Sequence, residues 1–337
     1  MKKNTIAIFG AGRIGRLHAE NIARHIPEAK IKYIVDAFLT PEMEAWGKGL
    51  GVPNMLKESD AVFADPEVDC ILIGSPTPTH AELILKACES KKDVLCEKPL
   101  DLDVQRIKET LKAVEEAGIK LMMGFVRRFD HNHAAVRQAV VDGKIGKPEL
   151  ITITSRDPEP PPEQYIASSG GLFVDMMIHD FDMIRFLAGD EVDEVYAAGA
   201  CLIDPVFAKY DDVDTAIVTL KFKSGTIGVI DNSRRANFYD QRTEVMGNLG
   251  VATAHNDVEN TVTVTTIDHV TSIRPPWFFL ARYNDAFIEE QKQFFKAING
   301  EIELPTNGND GLQSVLIAEA AKLSLKENRP VKLSEVE

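Results

Sequence analysis

From Asn4 the chain opens on "NTIAIFG", an apolar, β-branched run that ends in glycine and predicts a strand. The period then changes. Ile14, Leu17, Ile22 and Ile26 recur at helical spacing and predict a helix. The alternation continues: "IKYIVD" reads as a second strand, and "TPEMEAWGKGLG" as a helix with Thr40 at its N-cap and Pro41 at its first position. "DCILIGSP", "DVLCEKP" and "IKLMMGF" predict further buried strands. "THAELILKACESKK" and "DVQRIKETLKAVEEAG" predict the helices between them, the second ending at Gly118. Apolar strands alternating with helices imply a parallel sheet covered on both faces.

Beyond residue 125 the pattern differs. A helix is expected near "DHNHAAVRQAVVDG", followed by the strand-like runs "ELITITS", "VDEVYAAG", "DTAIVTLKF", "GTIGVID" and "NTVTVTTI". Several alternate polar and apolar residues, as half-covered antiparallel strands do. Two helices close the chain, at "RYNDAFIEEQKQFFKAING" and "GLQSVLIAEAAKLSLKEN". The expected architecture is an α/β domain over residues 1–125 and an α+β domain over 126–337. "DPEPPPEQY" is a stiff loop in the second domain, either a wall of a site or plain surface.

Composition narrows the partners. A formal net charge of −14 disfavours nucleic acid and anionic membranes. No run approaches the ~18 apolar residues of a membrane span. The N-terminal "MKKNTIAIFG" lacks the long apolar core of a secretion signal. The four cysteines have no CxxC spacing, and Cys70 and Cys96 lie in apolar runs, so a reducing cytoplasm is expected.

The chemistry begins at "FGAGRIG". Gly10, Gly12 and Gly15 form G-x-G-x-x-G after a strand and at the start of a helix, where a pyrophosphate can bind free backbone N–H groups. Arg13 and Ile14 lie in the same turn, with Arg13 expected to help hold the pyrophosphate. Asp36 ends the second strand about 20 residues on, where a carboxylate accepts ribose hydroxyls and repels a 2′-phosphate. NAD is therefore expected over NADP. "GSPTPTH" brings Ser75 and Thr77 beside the cofactor, with Thr79 as a helix cap and His80 as a structural rather than catalytic residue. "CEKPL" sets Glu97 and Lys98 at the carboxyl end of a parallel strand, where ligands of open α/β sheets bind. Lys98 there either points into solvent or is held at the site.

"GGLFVDMMIHDFDMIRFLAG" predicts a helix with Asp175 and His179 four apart on one face. They are either an imidazole oriented by a carboxylate or a pair on a solvated face. Asp180 and Asp182 point elsewhere; Asp182 stabilises the early helix or binds nothing. Spacing places no third metal ligand beside Asp175, His179 and Asp180, and "HNH" at 131–133 is no metal signature, so no metal is expected.

The motifs "GAGRIGRLHAENI", "SPTPTHAEL", "CEKPL", "GFVRRFD", "SGGLFVDMMIHDFDM", "DDVDTAIVTLKFKSGTIGVIDNSRRA" and "YDQRTEVMG" occur in an order that resembles the glucose–fructose oxidoreductase/inositol dehydrogenase family, above all its inositol 2-dehydrogenase branch. The resemblance runs over nearly the whole chain. It implies an N-terminal Rossmann domain and a C-terminal domain with a large open, mainly antiparallel sheet that pairs subunits into dimers or tetramers. It implies NAD-dependent oxidation of a cyclic polyol, with myo-inositol as substrate and 2-keto-myo-inositol as product. Other inositol isomers such as scyllo-inositol, or a pyranose sugar, are the alternatives; a non-catalytic dinucleotide-binding sensor is the remote one. It further implies that Lys98, Asp175 and His179 are catalytic, with His179 as base, and that Arg127, Asp157 and Tyr239 add substrate contacts.

Overall fold

A computed structural model describes residues 3–337; Met1 and Lys2 lie outside the described residues. The chain forms two compact units, one running to Val126 and taking in Ala286–Gln313, the other comprising Arg127–Asp285 and Ser314–Glu337. The expected division after residue 125 placed 286–313 in the second domain, whereas the fold returns that segment to the first unit.

The first unit is built on six strands: β1 (Asn4–Phe9), β2 (Ala29–Val35), β3 (Asn54–Leu56), β4 (Cys70–Ile73), β5 (Asp93–Glu97) and β6 (Leu121–Gly124). All pair in parallel, in the order β3-β2-β1-β4-β5-β6. Ile6, Ile8, Ile71 and Val94 are fully buried, each contributing roughly 1.5–3 kcal/mol. Between the strands run α1 (Arg13–His25), α2 (Pro41–Gly49), α3 (Asp60–Ala64), α4 (His80–Glu89) and α5 (Val104–Ala117). Local signals set their ends. Thr40 accepts the Met43 N–H at 3.3 Å, Asp103 accepts the Arg106 N–H at 3.0 Å, and Gly118 closes α5 in a left-handed conformation. Strand order reverses between β1 and β4, which places the ligand crevice at their carboxyl ends.

The second unit begins with a 3-10 turn at Val126–Phe129 and with α6 (His131–Val141). Its large sheet contains β7 (Pro148–Arg156), β8 (Val192–Ala200), β9 (Thr215–Phe222), β10 (Ile227–Ser233), β11 (Asp240–Gly247), β12 (Gly250–Ala254) and a short last strand, Val331–Lys332. Only β7 and β10 pair in parallel; the other neighbours are antiparallel. Between β7 and β8 lie α7 (Glu163–Ile166), α8 (Leu172–Asp175) and α9 (Ile178–Ala188). The buried face packs Val195, Leu220, Phe222 and Ile230 with Phe181 and Ile184 of α9 and with Ile317 and Ala321. The opposite face keeps an apolar row, Ile227, Leu150, Met246 and Val251, on four adjacent strands, and Ile227 and Val251 are more than half exposed. "NTVTVTTI", expected as a strand, contributes β13 (Thr263–Thr265) to a separate hairpin with β14 (Val270–Ser272). Next come α10 (Phe279–Arg282), α11 (Asn284–Ile298) and α12 (Gly308–Glu327). Among the described residues, no helix is long and apolar enough to cross a membrane.

Candidate active site

In the first unit the glycine turn is shaped by close backbone approach. A Cβ on Gly15 would lie 1.9 Å from the Gly10 carbonyl oxygen, and one on Gly10 would lie 2.7 Å from that of Gly74. Gly12 differs: nothing lies within 4 Å of its ideal Cβ, and no side chain caps α1, which it begins. An uncapped helix N-terminus facing open space fits a dinucleotide pyrophosphate. Arg13 is exposed in the same turn, and Ile14 lies against Gly74. Asp36 is held in place by two backbone donors, Ala11 N–H at 2.7 Å and Phe38 N–H at 2.9 Å. Each oxygen keeps a second lone pair for a hydroxyl.

Ser75 and Thr79 share a hydrogen bond of 2.6 Å, and Thr77 starts the 3-10 turn Thr77–Thr79. Thr79 occupies the N-cap of α4, but its hydroxyl donates to the Pro76 carbonyl and makes no cap. The structural reading of His80 fits its surroundings: both ring nitrogens lie 2.8 Å from carbonyl oxygens, those of Pro99 and Ser75. Burial lowers its pKa. The ring thus pins the turn after β4 to the turn after β5. Glu97 ends β5 with Oε1 2.8 Å from His18 Nε2, and Lys98 follows, half-buried, with a cis Lys98–Pro99 peptide.

In the second unit the expected continuous helix through Asp175 and His179 is broken. Asp175 ends α8 and His179 lies in the first turn of α9. The Met177 N–H bonds back to Leu172, one residue further than an α-helix allows, and this wide turn separates α8 from α9. The Asp175 carboxylate is gripped by Tyr165, which donates to Oδ1 at 2.7 Å, and by Arg234, which donates to Oδ2 at 2.9 Å. Tyr165 follows the proline run, so that loop is tied to Asp175. Arg234 also donates to Asp157 at 3.4 Å. Burial raises the pKa of Asp157; Arg234 opposes the rise and Asp175 adds to it. Asp212 accepts the Leu172 N–H at 2.9 Å and fixes the start of α8.

Arg127 is buried. Its guanidinium pairs with Asp180, donates to Ser155 at 3.2 Å and lies 5.9 Å over the Tyr283 ring. Asn232 donates to the other Asp180 oxygen at 2.8 Å. Asp182, for which two roles were open, takes a two-pronged grip from Arg128 at 2.8 and 2.5 Å. Tyr239 is buried edge-on to Tyr283 at 6.0 Å, and burial drives its hydroxyl pKa well up. On sequence grounds Arg234, Tyr165, Asp212 and Tyr283 carried no role. The one signal for Arg234 was its place in "DNSRRA", just after a strand.

A strand, glycine turn and helix, a carboxylate ending the next strand and a second unit rich in fixed polar side chains define a dinucleotide-dependent oxidoreductase. The comparisons agree. Residues 4–125 match the model of an oxidoreductase family with an NAD-binding Rossmann fold, and residues 133–253 match the GFO/IDH/MocA C-terminal domain. The chain is 45% identical to a myo-inositol 2-dehydrogenase of Thermotoga maritima, over 98% of this chain and 99% of that one. It is 43% identical to an inositol 2-dehydrogenase of Rhizobium meliloti, over 97% and 98%. A solved scyllo-inositol dehydrogenase from Lactobacillus casei, with bound NAD(H) and scyllo-inositol, superposes with a TM-score of 0.89 at 32% identity, covering 99% and 100%. The chain belongs to the GFO/IDH/MocA oxidoreductase family, and its first unit is an NAD-binding Rossmann domain.

Two outcomes are expected. Gly12→Ala should leave the melting temperature near that of the wild type but weaken NAD binding in a fluorescence titration; Gly15→Ala should lower the melting temperature itself. Arg234→Leu removes the cation that lowers the Asp157 pKa. Such a buried break should destabilise the protein by about 3–5 kcal/mol. It should also push the acid limb of the pH–rate profile to higher pH, because Asp157 then holds its proton to higher pH. An unchanged acid limb would show that these carboxylates do not govern turnover.

Proposed function

We propose that the protein oxidises a secondary hydroxyl of a cyclic polyol, most simply myo-inositol to 2-keto-myo-inositol, with hydride transfer to NAD. The observation that carries this reading is the Asp175 carboxylate, held at both oxygens four residues before His179, in a protein whose relatives at 43–45% identity are named inositol 2-dehydrogenases. A polyol needs many directional polar contacts, and the second unit has them fixed in advance.

Bound NAD supplies the hydride acceptor. Gly10, Gly12, Arg13, Ile14 and Gly15 cradle its pyrophosphate; Asp36 takes the ribose hydroxyls; Ser75, Thr77, Glu97 and Lys98 line the rest of its site. Lys98 donates to the reacting oxygen and offsets its developing charge. His179 takes the hydroxyl proton. Asp175 orients that hydroxyl, with Tyr165 and Arg234 fixing the carboxylate. Asp157 and Tyr239 contact further hydroxyls. Arg127, committed to Asp180 and Ser155, acts from behind as a positioning residue. Scyllo-inositol is the second reading, motivated by the Lactobacillus casei enzyme.

We further propose that the open face of the large sheet is covered by a second copy, giving a dimer or tetramer. Support comes from the row Ile227, Leu150, Met246 and Val251 on that face. The four cysteines are unpaired, in keeping with a reducing cytoplasm.

Following NADH absorbance across a panel of inositols and sugars tests the substrate, with NAD expected to exceed NADP in kcat/KM. Lys98→Ala should lower kcat roughly 10²–10³-fold, and His179→Ala roughly 10²–10⁴-fold, with NAD affinity little changed. Near-normal turnover of either variant would remove that residue from the reaction. Light scattering should report an oligomer, and Ile227→Asp should shift it toward monomer; a wild-type monomer at micromolar concentration would exclude the sheet interface.

A further inference from the structure

The first unit buries a carboxyl group that no step above uses. Glu290, on α11, is fully buried, and neither of its oxygens has a hydrogen-bond partner. One ligand atom each from Glu290, Glu97 and His18 lie within 4.8 Å of one another. These residues join three elements: His18 lies on α1, the helix of the glycine turn, Glu97 ends β5 just before Lys98, and Glu290 rides on α11.

The hydrogen bonds assign the protons. Gln291 directs its amide nitrogen at His18 Nδ1, at 2.5 Å, and at the His18 carbonyl, at 3.4 Å. Nδ1 therefore accepts, and the ring proton sits on Nε2, 2.8 Å from Glu97 Oε1. His18 thus gives Glu97 one donor. The Phe287 ring meets His18 edge-on at 5.4 Å. On the other side, a Cβ at Gly124 would stand 3.2 Å from Glu97 Oε2, so β6 walls the carboxylate closely. Glu97 is the charged group that acts on Glu290, and among the described residues no cation is found opposing it there. Two carboxyl groups this close without a cation cannot both ionise in the core. Burial, and then Glu97, push the Glu290 pKa well above the usual carboxylate range.

We propose that Glu290 is a positioning residue, a carboxylic acid kept protonated in the core, which packs against the Glu97 carboxylate that His18 holds and thereby fixes the aim of Lys98. A divalent cation among His18, Glu97 and Glu290 is the competing occupant; it would need a lone pair on Nε2, where Gln291 places the proton. The positioning role rests on the reading of Lys98 as the donor to the reacting oxygen, whereas the buried proton does not.

The test uses the full-length protein and Glu290→Gln, which mimics a neutral acid. The infrared difference spectrum, wild type minus variant, at about pH 8, should contain the carbonyl band of a protonated carboxylic acid. Melting temperatures from about pH 5 to about pH 9 should separate the two proteins. A folded pKa raised above its unfolded value contributes stability that is complete below the unfolded value and lost as pH rises through the folded one. The wild type should therefore lose stability with rising pH relative to Glu290→Gln. In kinetics, Glu290→Leu should lower kcat about tenfold or more, as expected for a donor moved by a fraction of an ångström. The NAD dissociation constant should stay put, Glu290→Gln should restore kcat, and Glu290→Leu should add nothing in a Lys98→Ala background. Absence of the infrared band, parallel melting curves, or a divalent metal bound one to one in wild type and lost in Glu290→Gln would overturn the buried proton. The band with an unchanged kcat in Glu290→Leu would overturn the positioning role, as would near-normal turnover of Lys98→Ala.

Discussion

A charge removed from water must be answered by another charge or by a proton, and that constraint organises both units. In the second unit Arg127 and Arg128 are adjacent, so their side chains diverge, and each finds an aspartate on α9. Asp180 and Asp182 are two apart, roughly 200° around the helix axis, so one turn of chain holds α9 from two sides. Removing one partner of such a pair costs far more than the pair contributes. The arrangement therefore specifies where α9 lies more than it adds stability. His179 is carried on the first turn of that helix and inherits its placement.

Arg234 extends the principle to the carboxylates read as part of the site. Two acids converge on one guanidinium that is almost wholly buried. The cation opposes the rise that burial imposes on the Asp157 pKa and pairs with the Asp175 carboxylate. The first unit solves the like-charge problem differently, with no arginine at Glu97 and Glu290. Carboxyl groups are thus treated in two ways, with a cation beside Asp157 and Asp175 and, among the described residues, none found opposing the charge at Glu290.

The Rossmann unit was readable in the sequence because its signals are local. Apolar runs at strand length, glycines where backbones nearly touch, Thr40 as a cap and Gly118 as a stop all act within a few residues. The second unit was less so. β11 and β12 mix polar residues (Arg242, Glu244, Thr253) with Met246 and Val251 on their open face and were not recognised, and 260–267 has the alternation of a sheet strand yet pairs only with its own hairpin partner. Asp175 and His179 were found through motif resemblance, but the break at Met176 and Met177 was invisible to a periodicity that assumes one helix. Arg234 meets Asp175 across 59 positions, and Glu290 meets His18 and Glu97 only because α11 returns to the first unit. Contacts of that kind leave no spacing signature. Arg127 was expected at the substrate, and its partner Asp180, 53 positions away, is likewise unreadable from local pattern.

The run from Asp157 to Pro162 holds four prolines at 158, 160, 161 and 162 before Tyr165 reaches Asp175. A proline-rich tether loses little freedom on folding, because its φ angles are already restricted in the unfolded chain. Tyr165 is thus delivered by a strut of nearly set length. In such a strut, changing which residues fill it alters little, but inserting or deleting one would swing the tyrosine away from its carboxylate. Among relatives, the number of residues between Asp157 and Tyr165 would then be a coarse dial for pocket size, turned in whole-residue steps.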